Sequence, residues 1–238
     1  MKKIIALTVA FLAIACNKET EKEGNLHLSG NVEGLKQGKI YVQQLKDTSL
    51  ITIDTIKFEG KSSFDTKFTI DEPQMLYLFL DRGQTNSIDN NLSFFAEPGK
   101  MTFKTTLKEF YADAKFTGSK NQETYEKYLK IRTNLSNENA ELMAKEIKNL
   151  KIKDPAVSSK IQSDKEKLTV RKYLYTANFA VVNGTYEVAP YIALTEIPDA
   201  NLKLMDTIQK SMSPKVAKSK YGKRLTEWIK ERKQTEQE

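Results

Sequence analysis

The chain changes its residue pattern once, in the stretch Lys115-Phe116-Thr117-Gly118-Ser119-Lys120-Asn121-Gln122, residues 115–122. Before this stretch apolar residues alternate with polar ones, as in half-buried strands. After it they recur every three to four residues, as in helices. Ser119 and Gln122 form a capping-box pattern, which is typical of a helix start. The sequence therefore predicts an α+β protein, with an N-terminal antiparallel β-sandwich or partly open barrel at residues 25–118 and a C-terminal α-helical domain at residues 119–229.

The first half has the short strands and turn signals of a sandwich. Leu26 to Val32 and Ile40 to Val42 predict two antiparallel strands around a glycine-bracketed turn. Glu59-Gly60-Lys61 and Glu97-Pro98-Gly99-Lys100 predict the turns of two hairpins. Met75 to Leu80 is apolar on both faces, which is typical of a central strand covered on both sides.

The second half predicts a set of helices. One runs from Ser119 to Leu135 and a second holds Ala140 to Leu150. A third begins at Asp154-Pro155, where an N-cap acceptor precedes proline at the first helical position. It ends at Asn183-Gly184, which favours a left-handed cap. Shorter helices are expected at 188–195 and 201–212, with a last one from 213 to 229 and a disordered tail at 230–238, where no apolar residue occurs.

The start of the chain has the pattern of a secretory signal peptide at residues 1–15. A basic tip with Lys2 and Lys3 precedes an apolar run that is too short to span a bilayer and ends in Phe11-Leu12-Ala13-Ile14-Ala15-Cys16. Cys16 is the single cysteine of the chain. The pattern resembles the lipobox of bacterial lipoproteins, which implies cleavage between Ala15 and Cys16 and lipidation of Cys16, including palmitate on its new amino terminus.

One feature departs from the usual lipobox: Leu12 stands four residues before the cysteine, where the leucine usually stands three before. The alternative is an ordinary cleaved signal followed by a stray cysteine. Residues 16–24 are polar and predict a flexible tether. We therefore expect a cell-envelope protein that is lipid-anchored to the outer membrane. The acidic residues of 17–24 resemble a signal for export to the cell surface, and the alternative is the periplasmic face.

Charge is divided unevenly between the two halves. Residues 17–118 carry 13 Lys and Arg against 15 Asp and Glu, whereas residues 119–238 carry 23 against 16. The basic half could lie against an anionic membrane surface or an acidic partner, or it could be a solvated lysine-rich helical surface. No aromatic and basic nucleotide-binding signature occurs, so nucleic acid is not an expected partner.

Residue types that carry catalysis are scarce. One cysteine, at the lipidation position, excludes a thiol pair, and the single histidine, His27, is interpreted as a surface or rim residue. Asp81, Asp89 and Glu97 could supply an acid and base pair for glycoside hydrolysis, but a chain with 31 acidic residues offers many such pairs. No phosphate loop or calcium loop occurs, so no catalytic residue, metal or cofactor is expected.

A set of aromatic residues in the helical half could line a ligand groove, although its helical spacing favours core packing. The set consists of Tyr173, Tyr175, Phe179, Tyr186 and Tyr191.

Several glycine and proline placements resemble one family. They are Gly30, the stretch 58–64, Pro73 with Tyr77-Leu78, Glu97-Pro98-Gly99 and Phe116-Thr117-Gly118-Ser119. The succession resembles the domain of unknown function that precedes a thioredoxin-like module, of the alkyl hydroperoxide reductase and thiol-specific antioxidant type, in lipid-anchored Gram-negative envelope oxidoreductases. Ala189-Pro190-Tyr191 and the stretch 213–223 resemble the helical connector of that family.

The Cys-x-x-Cys active site of those relatives has no counterpart in this sequence. The resemblance therefore implies no oxidoreductase activity here. It implies a non-enzymatic scaffold or partner-binding module, for which a thioredoxin-like envelope protein is the natural partner. The alternative is a glycan- or ligand-binding module, or less readily a hydrolase, that uses the sandwich loops around Asp81 to Asn91.

Overall fold

A computed structural model describes residues 23–82 and 88–236 of the chain. Its N-terminal part consists of two four-stranded sheets, and its C-terminal part is helical, which confirms the predicted α+β class. The two sheets are not closed into a barrel, so the sandwich is the correct alternative. Among the described residues, no helix is long and apolar enough to cross a membrane.

Within residues 23–82 and 88–236, eight strands build the two sheets. Sheet A has the order β4-β1-β7-β8 and sheet B the order β3-β2-β5-β6. The strands are β1 (Leu26–Glu33), β2 (Gln37–Lys46), β3 (Ser49–Glu59), β4 (Ser63–Phe68), β5 (Gln74–Asp81), β6 (Asn91–Ala96), β7 (Gly99–Thr106) and β8 (Lys115–Thr117).

Strand pairing differs from the sequence-based expectation at three turns. The strand pairs β1/β2, β3/β4 and β6/β7 were predicted to be antiparallel neighbours, but the members of each pair lie in opposite sheets. The turns at Gly60 and Gly99 thus connect the two sheets, and both glycines have positive φ. Sheet A also contains one parallel pair, β1 with β7. The three predicted pairings were wrong because alternation of apolar and polar residues shows which face of a strand is buried. It carries no information on which strand lies beside it in the sheet.

The core of the sandwich lies between the two sheets. The inward side chains of β5, Leu76, Leu78 and Leu80, are fully buried in it together with Leu28 and Phe94. β5 lies between β2 and β6, as expected for a central strand. Its outward side chains, Met75 and Tyr77, face the helices, so they belong to a different cluster from the core of the sandwich.

In the described part of the chain, six helices follow the last strand. They are α1 (Lys120–Ile152), α2 (Pro155–Val182), α3 (Val188–Glu196), α4 (Leu202–Ser211), α5 (Pro214–Ala217) and α6 (Lys220–Thr235). Ser119 caps α1 by accepting a hydrogen bond of 3.0 Å from the backbone N–H of Gln122. Gly118 has a φ of 93°, and any side chain there would collide with the carbonyl oxygen of Lys100. The transition from strand to helix therefore requires glycine.

Four predictions for the helical part need correction, and the first two concern where helices are divided. The first two predicted helices form one helix, α1, because residues 136–139 contain neither glycine nor proline. The helix expected from 213 to 229 is divided into α5 and α6, because Lys218 is the C-cap of α5 and the side chain of Ser219 caps the start of α6.

The tail expected to be disordered from residue 230 continues α6 to Thr235, where Arg232 donates to the carbonyl oxygens of Pro198 and Ala200. Asn183 has a φ of −102°, so no left-handed cap ends α2. Gly184 is instead required by its close approach to the backbone of Ser211.

The helices pack on the outer face of sheet B. Met75 and Phe95 project from the sheet into a cluster with Tyr125, Tyr128 and Val188 of the helical part. Gln122 accepts a hydrogen bond of 2.7 Å from the backbone N–H of Phe95, which belongs to the edge strand β6. The first turn of α1 therefore protects an edge that would otherwise offer free backbone groups.

Candidate binding cleft

The predicted lipidation and cleavage residues, Cys16 and Ala15, lie outside the described residues. His27 lies on β1 and forms a 2.7 Å contact with Asp65 on the neighbouring strand β4. Both side chains are partly open to solvent. The described residues contain no group of three or more His, Cys, Asp or Glu arranged to hold a metal ion. His27 is thus placed at the surface, as the sequence indicated.

The structure separates Glu97 from the other two candidate acid and base residues, Asp81 and Asp89. Glu97 follows Ala96, which pairs with Gln74 at one end of β5, whereas Asp81 is at the other end, about 20 Å away at the rise of a strand. Glu97 accepts hydrogen bonds from the hydroxyl of Ser119 and the N–H of Asn121, so it stabilises the start of α1. Asp89 is exposed near the Asp81 end. Glu97 therefore cannot form a hydrolytic pair with either of the other two carboxylates.

The predicted aromatic set is divided between two clusters. Tyr175, Phe179, Tyr186 and Tyr191 pack against the cluster beneath sheet B. Tyr173 packs against the core of the helical part and donates a 2.6 Å hydrogen bond to Asp199. Most of the set therefore serves core packing, while Tyr191 also reaches an open cleft.

This cleft lies between the outer face of sheet B and helices α3 and α6. It has a volume of about 380 Å³, within the range of ligand pockets. Its walls include Met75 and Tyr77 of β5, Tyr191 of α3, and Tyr221, Arg224 and Trp228 of α6. We call it the aromatic cleft.

Contacts among the aromatic rings make the floor of the cleft rigid. The rings of Tyr191 and Tyr221 meet edge to face with centroids 5.0 Å apart, and each lies about 6 Å from the ring of Phe95. The hydroxyl of Tyr221 accepts a 3.0 Å hydrogen bond from the backbone N–H of Met75. Rings that are fixed in this way lose little conformational entropy on binding a ligand.

Two cations lie on the α6 side of the cleft. The guanidinium of Arg224 is 5.6 Å from the ring of Trp228, and the ammonium of Lys220 is 5.8 Å from the ring of Tyr221. Both distances are typical of cation–π contacts. Trp228 is oriented by a 2.9 Å hydrogen bond from its indole N–H to the carbonyl oxygen of Pro198. The cleft thus combines aromatic faces with two cationic groups, of which the Arg224 guanidinium is paired with Glu231.

The phenols of the cleft remain neutral at physiological pH. Burial raises the pKa of Tyr221 to about 12, and burial followed by the neighbouring phenols of Tyr125 and Tyr77 raises the pKa of Tyr191 further. No described residue forms a hydrogen bond with the hydroxyl of Tyr77 or Tyr191. Since no buried side-chain oxygen or nitrogen in the described part lacks a partner, these two hydroxyls reach solvent. They can therefore donate hydrogen bonds to a bound molecule.

Sequence reasoning missed three of the cleft residues. The sequence predicts a helix from 213 to 229, which contains Trp228, and a strand covered on both sides from Met75 to Leu80, which contains Tyr77, and neither pattern assigns these side chains to a site. No sequence pattern singles out Arg224. Its spacing of four residues from Trp228 is a usable signal, because residues four apart share a helix face. The side chains that line the cleft include one carboxylate, Asp47, and no histidine, so they suit binding better than acid and base chemistry.

Comparison with known proteins gives one result. Residues 26–125 match the family described as "Domain of unknown function (DUF4369)". The match contains all eight strands and the first turn of α1, in which Gln122 bonds to Phe95. No curated protein and no solved structure matches the chain.

Proposed function

We propose that this chain is a non-enzymatic lipoprotein of the cell envelope that binds a partner protein through the aromatic cleft. Three sequence features support the proposal: the lipobox-like pattern ending at Cys16, the domain match over residues 26–125, and the connector-like stretch 213–223. The relatives that the sequence resembles carry a thioredoxin-like module after such a connector. A separate thioredoxin-like envelope protein is therefore the partner we propose.

The composition of the aromatic cleft carries the proposal. Its twelve lining residues include three tyrosines, a tryptophan, an arginine and a methionine. These residue types are enriched in the cores of protein interfaces, and tyrosine, tryptophan and arginine dominate the binding energy there. A fixed floor and a cavity that accepts one or two side chains suit an anchor residue of the partner.

Apolar surface extends from the cleft onto the sandwich. Leu45, at the cleft wall, faces Leu50 across the β2–β3 hairpin, and both are more than two-fifths exposed. Farther along the outer face of sheet B, the rings of Tyr41 and Phe79 stack with centroids 6.2 Å apart. The surface available for docking is thus larger than the cavity, as a protein partner requires.

The cleft also supports the ligand-binding alternative at a new position. The sequence placed that site in the loop from Asp81 to Asn91, of which residues 83–87 lie outside the described residues. The exposed hydroxyls of Tyr77 and Tyr191 beside the face of Trp228 would instead suit a sugar ring. Trp228 is the single tryptophan of the chain, so a change in its fluorescence on titration with glycans would identify this activity.

Binding measurements with matched variants test the partner proposal. Purified residues 17–238 are titrated with each thioredoxin-like envelope protein of the source cell. We expect one of them to bind, and Arg224→Glu to weaken that binding about tenfold or more, because arginine at an interface often contributes over 1 kcal/mol. Arg171→Glu is the control, since Arg171 is also exposed and paired with a glutamate but lies on α2 away from the cleft.

A second pair of variants tests the apolar rim. Leu45→Glu should weaken binding, whereas Leu174→Glu on α2 should not, although both leucines are exposed to a similar extent. The proposal fails if no thioredoxin-like protein binds. Its placement in the cleft fails if cleft and control variants weaken binding equally.

A further inference from the structure

We propose that the tip of the α1–α2 hairpin, residues 143–160, binds the surface of an anionic lipid bilayer. We call this region the hairpin tip. The inference concerns a different surface from the aromatic cleft, and it does not depend on lipidation of Cys16.

The hairpin projects from the rest of the protein. α1 has 33 residues, which corresponds to about 50 Å of helix. Between Thr133 and Val170 only Leu142, Asn149, Ile161 and Leu168 are buried. Two ion pairs, Arg171 with Glu138 and Lys165 with Glu146, join the two helices along this length. The far half of the hairpin is therefore held together by its own contacts and is open to another surface.

The tip is a well-formed turn. Lys153 ends α1 in the left-handed conformation, with a φ of 58°. The amide of Asn149 donates to the carbonyl oxygen of Asp154 and the hydroxyl of Ser158, both at 2.8 Å. The carboxylate of Asp154 in turn caps α2. Polar groups of the turn are thus satisfied internally, and the side chains around it are displayed in fixed positions.

Large apolar side chains are exposed around this turn. The exposed fractions are 60% for Ile147, 68% for Leu150, 74% for Ile152 and 42% for Val157. These four residues lie within a span of eleven positions, and Met143 adds a fifth on the preceding turn. Exposed apolar groups at such density mark an interaction surface more often than a solvated one.

Lysines surround the apolar group, and they are Lys145, Lys148, Lys151, Lys153 and Lys160. None of the five forms an ion pair with any described residue. The two carboxylates of the same stretch have other roles, because Glu146 pairs with Lys165 and Asp154 caps α2. The hairpin tip therefore presents a positive charge that nothing in the described structure neutralises.

This composition fits a lipid surface better than a protein. Lysine is depleted at protein interfaces, where aromatic residues, methionine and arginine are enriched, and the hairpin tip has five lysines, no aromatic residue, no arginine and one methionine, Met143. At a bilayer surface, the methylene stems of lysine side chains lie along the apolar part of the interface, while their ammonium groups reach the lipid phosphates. Each lysine near an anionic surface strengthens binding severalfold. An anionic bilayer is thus the occupant that complements both features of the hairpin tip, its positive charge and its exposed apolar side chains.

Vesicle co-sedimentation tests the inference with residues 17–238, which retain every described residue and lack Cys16. Vesicles contain phosphatidylcholine alone, or phosphatidylcholine with about one quarter phosphatidylglycerol. We expect the bound fraction to be at least about tenfold higher with the anionic vesicles and to fall as salt is raised. Tight binding to neutral vesicles, or no binding to either, would overturn the inference.

Variants then locate the contact. Leu150→Ser with Ile152→Ser should lower the partition coefficient about tenfold, and Lys145→Gln with Lys148→Gln and Lys151→Gln should do the same. The matched controls are Leu174→Ser with Val182→Ser on α2, and Lys203→Gln with Lys210→Gln and Lys230→Gln on α4 and α6. Circular dichroism verifies that all variants remain helical.

If the tip and control variants lose binding equally, the basic helical half acts as a whole and the tip inference is wrong. Light scattering gives a second readout without lipid. A dimer that dissociates in the Leu150→Ser and Ile152→Ser variant would show that a second copy covers the tip, which would also overturn the bilayer as its occupant.

Discussion

The backbone N–H of Met75 donates a hydrogen bond of 3.0 Å to the phenol oxygen of Tyr221, which lies 146 residues farther along the chain. Met75 is the second residue of β5, an inner strand of sheet B, and Tyr221 lies in the first turn of α6. The hydrogen bond therefore joins the sandwich directly to the last helix of the helical part. It also fixes the ring of Tyr221 at the floor of the aromatic cleft, so binding and stability depend on the same residue.

Tyr221→Phe removes the acceptor and retains the ring. We expect the free energy of unfolding to fall by about 1 to 3 kcal/mol, since the N–H of Met75 is left without its partner in a partly buried site. Urea unfolding measures the change. Tyr111→Phe is the control, because the Tyr111 side chain is largely exposed. Equal stability of the two variants would show that water replaces the phenol without cost.

Residues 25–118 test whether the sandwich is an independent domain. Its core lies between the two sheets and is separate from the cluster beneath the helices. We expect a strand-type far-ultraviolet spectrum, a cooperative melt, and binding of a hydrophobic dye where Met75 and Phe95 become exposed. An unfolded chain would mean that the helices complete the sandwich and that the protein is one domain.

Alkaline pH should destabilise the helical part through Tyr128. This side chain is buried and shares a 3.0 Å hydrogen bond with Thr176, and burial raises the pKa of Tyr128 to about 12. The unfolded phenol has a pKa near 10. The stability that depends on the neutral phenol is thus fully present below about pH 10 and is lost as pH rises toward 12.

Urea unfolding from about pH 8 to about pH 11.5 measures this effect. Tyr128→Phe should be less stable at the lower end, because Thr176 loses its partner. It should also lose stability less steeply as pH rises. Parallel pH profiles for the wild type and the variant would contradict the expected role of Tyr128.

Lipidation of Cys16 is tested by metabolic labelling with palmitate in the source cell. We expect the wild type to carry label and to partition into detergent, because several acyl chains at about 0.8 kcal/mol per methylene make release from the membrane negligible. Cys16→Ser should carry no label. Label on this variant would contradict the lipoprotein proposal, whereas cleavage without any label on the wild type would favour an ordinary signal peptide.

Thiol-disulfide activity should be absent from the isolated protein. Disulfide exchange requires an attacking thiolate and a second thiol that resolves the mixed disulfide, and the chain has one cysteine. We expect insulin turbidity with dithiothreitol to develop no faster than with the reductant alone, while a thioredoxin added as a control accelerates it. Turnover above that background would refute the non-enzymatic proposal.

The sequence alone determined which half of the chain forms strands, which half forms helices, and where the two halves meet. Alternation and helical spacing are local signals, because side-chain direction repeats every two residues in strands and every 3.6 in helices. Local capping chemistry likewise placed the starts of α1 at Ser119 and of α2 at Asp154. The position of β5 between two other strands followed from its apolar residues on both faces.

Only the tertiary structure decided how these elements are combined. The sheet to which β2 or β7 belongs, and the parallel pairing of β1 with β7, depend on partners that are distant in sequence. The aromatic cleft depends on the same kind of information, because Tyr77 and Trp228 belong to different halves of the chain and each has an ordinary local pattern. Periodicity indicates whether a side chain is buried. It does not identify the residues that the side chain packs against, because those partners are set by packing among residues far apart in the sequence.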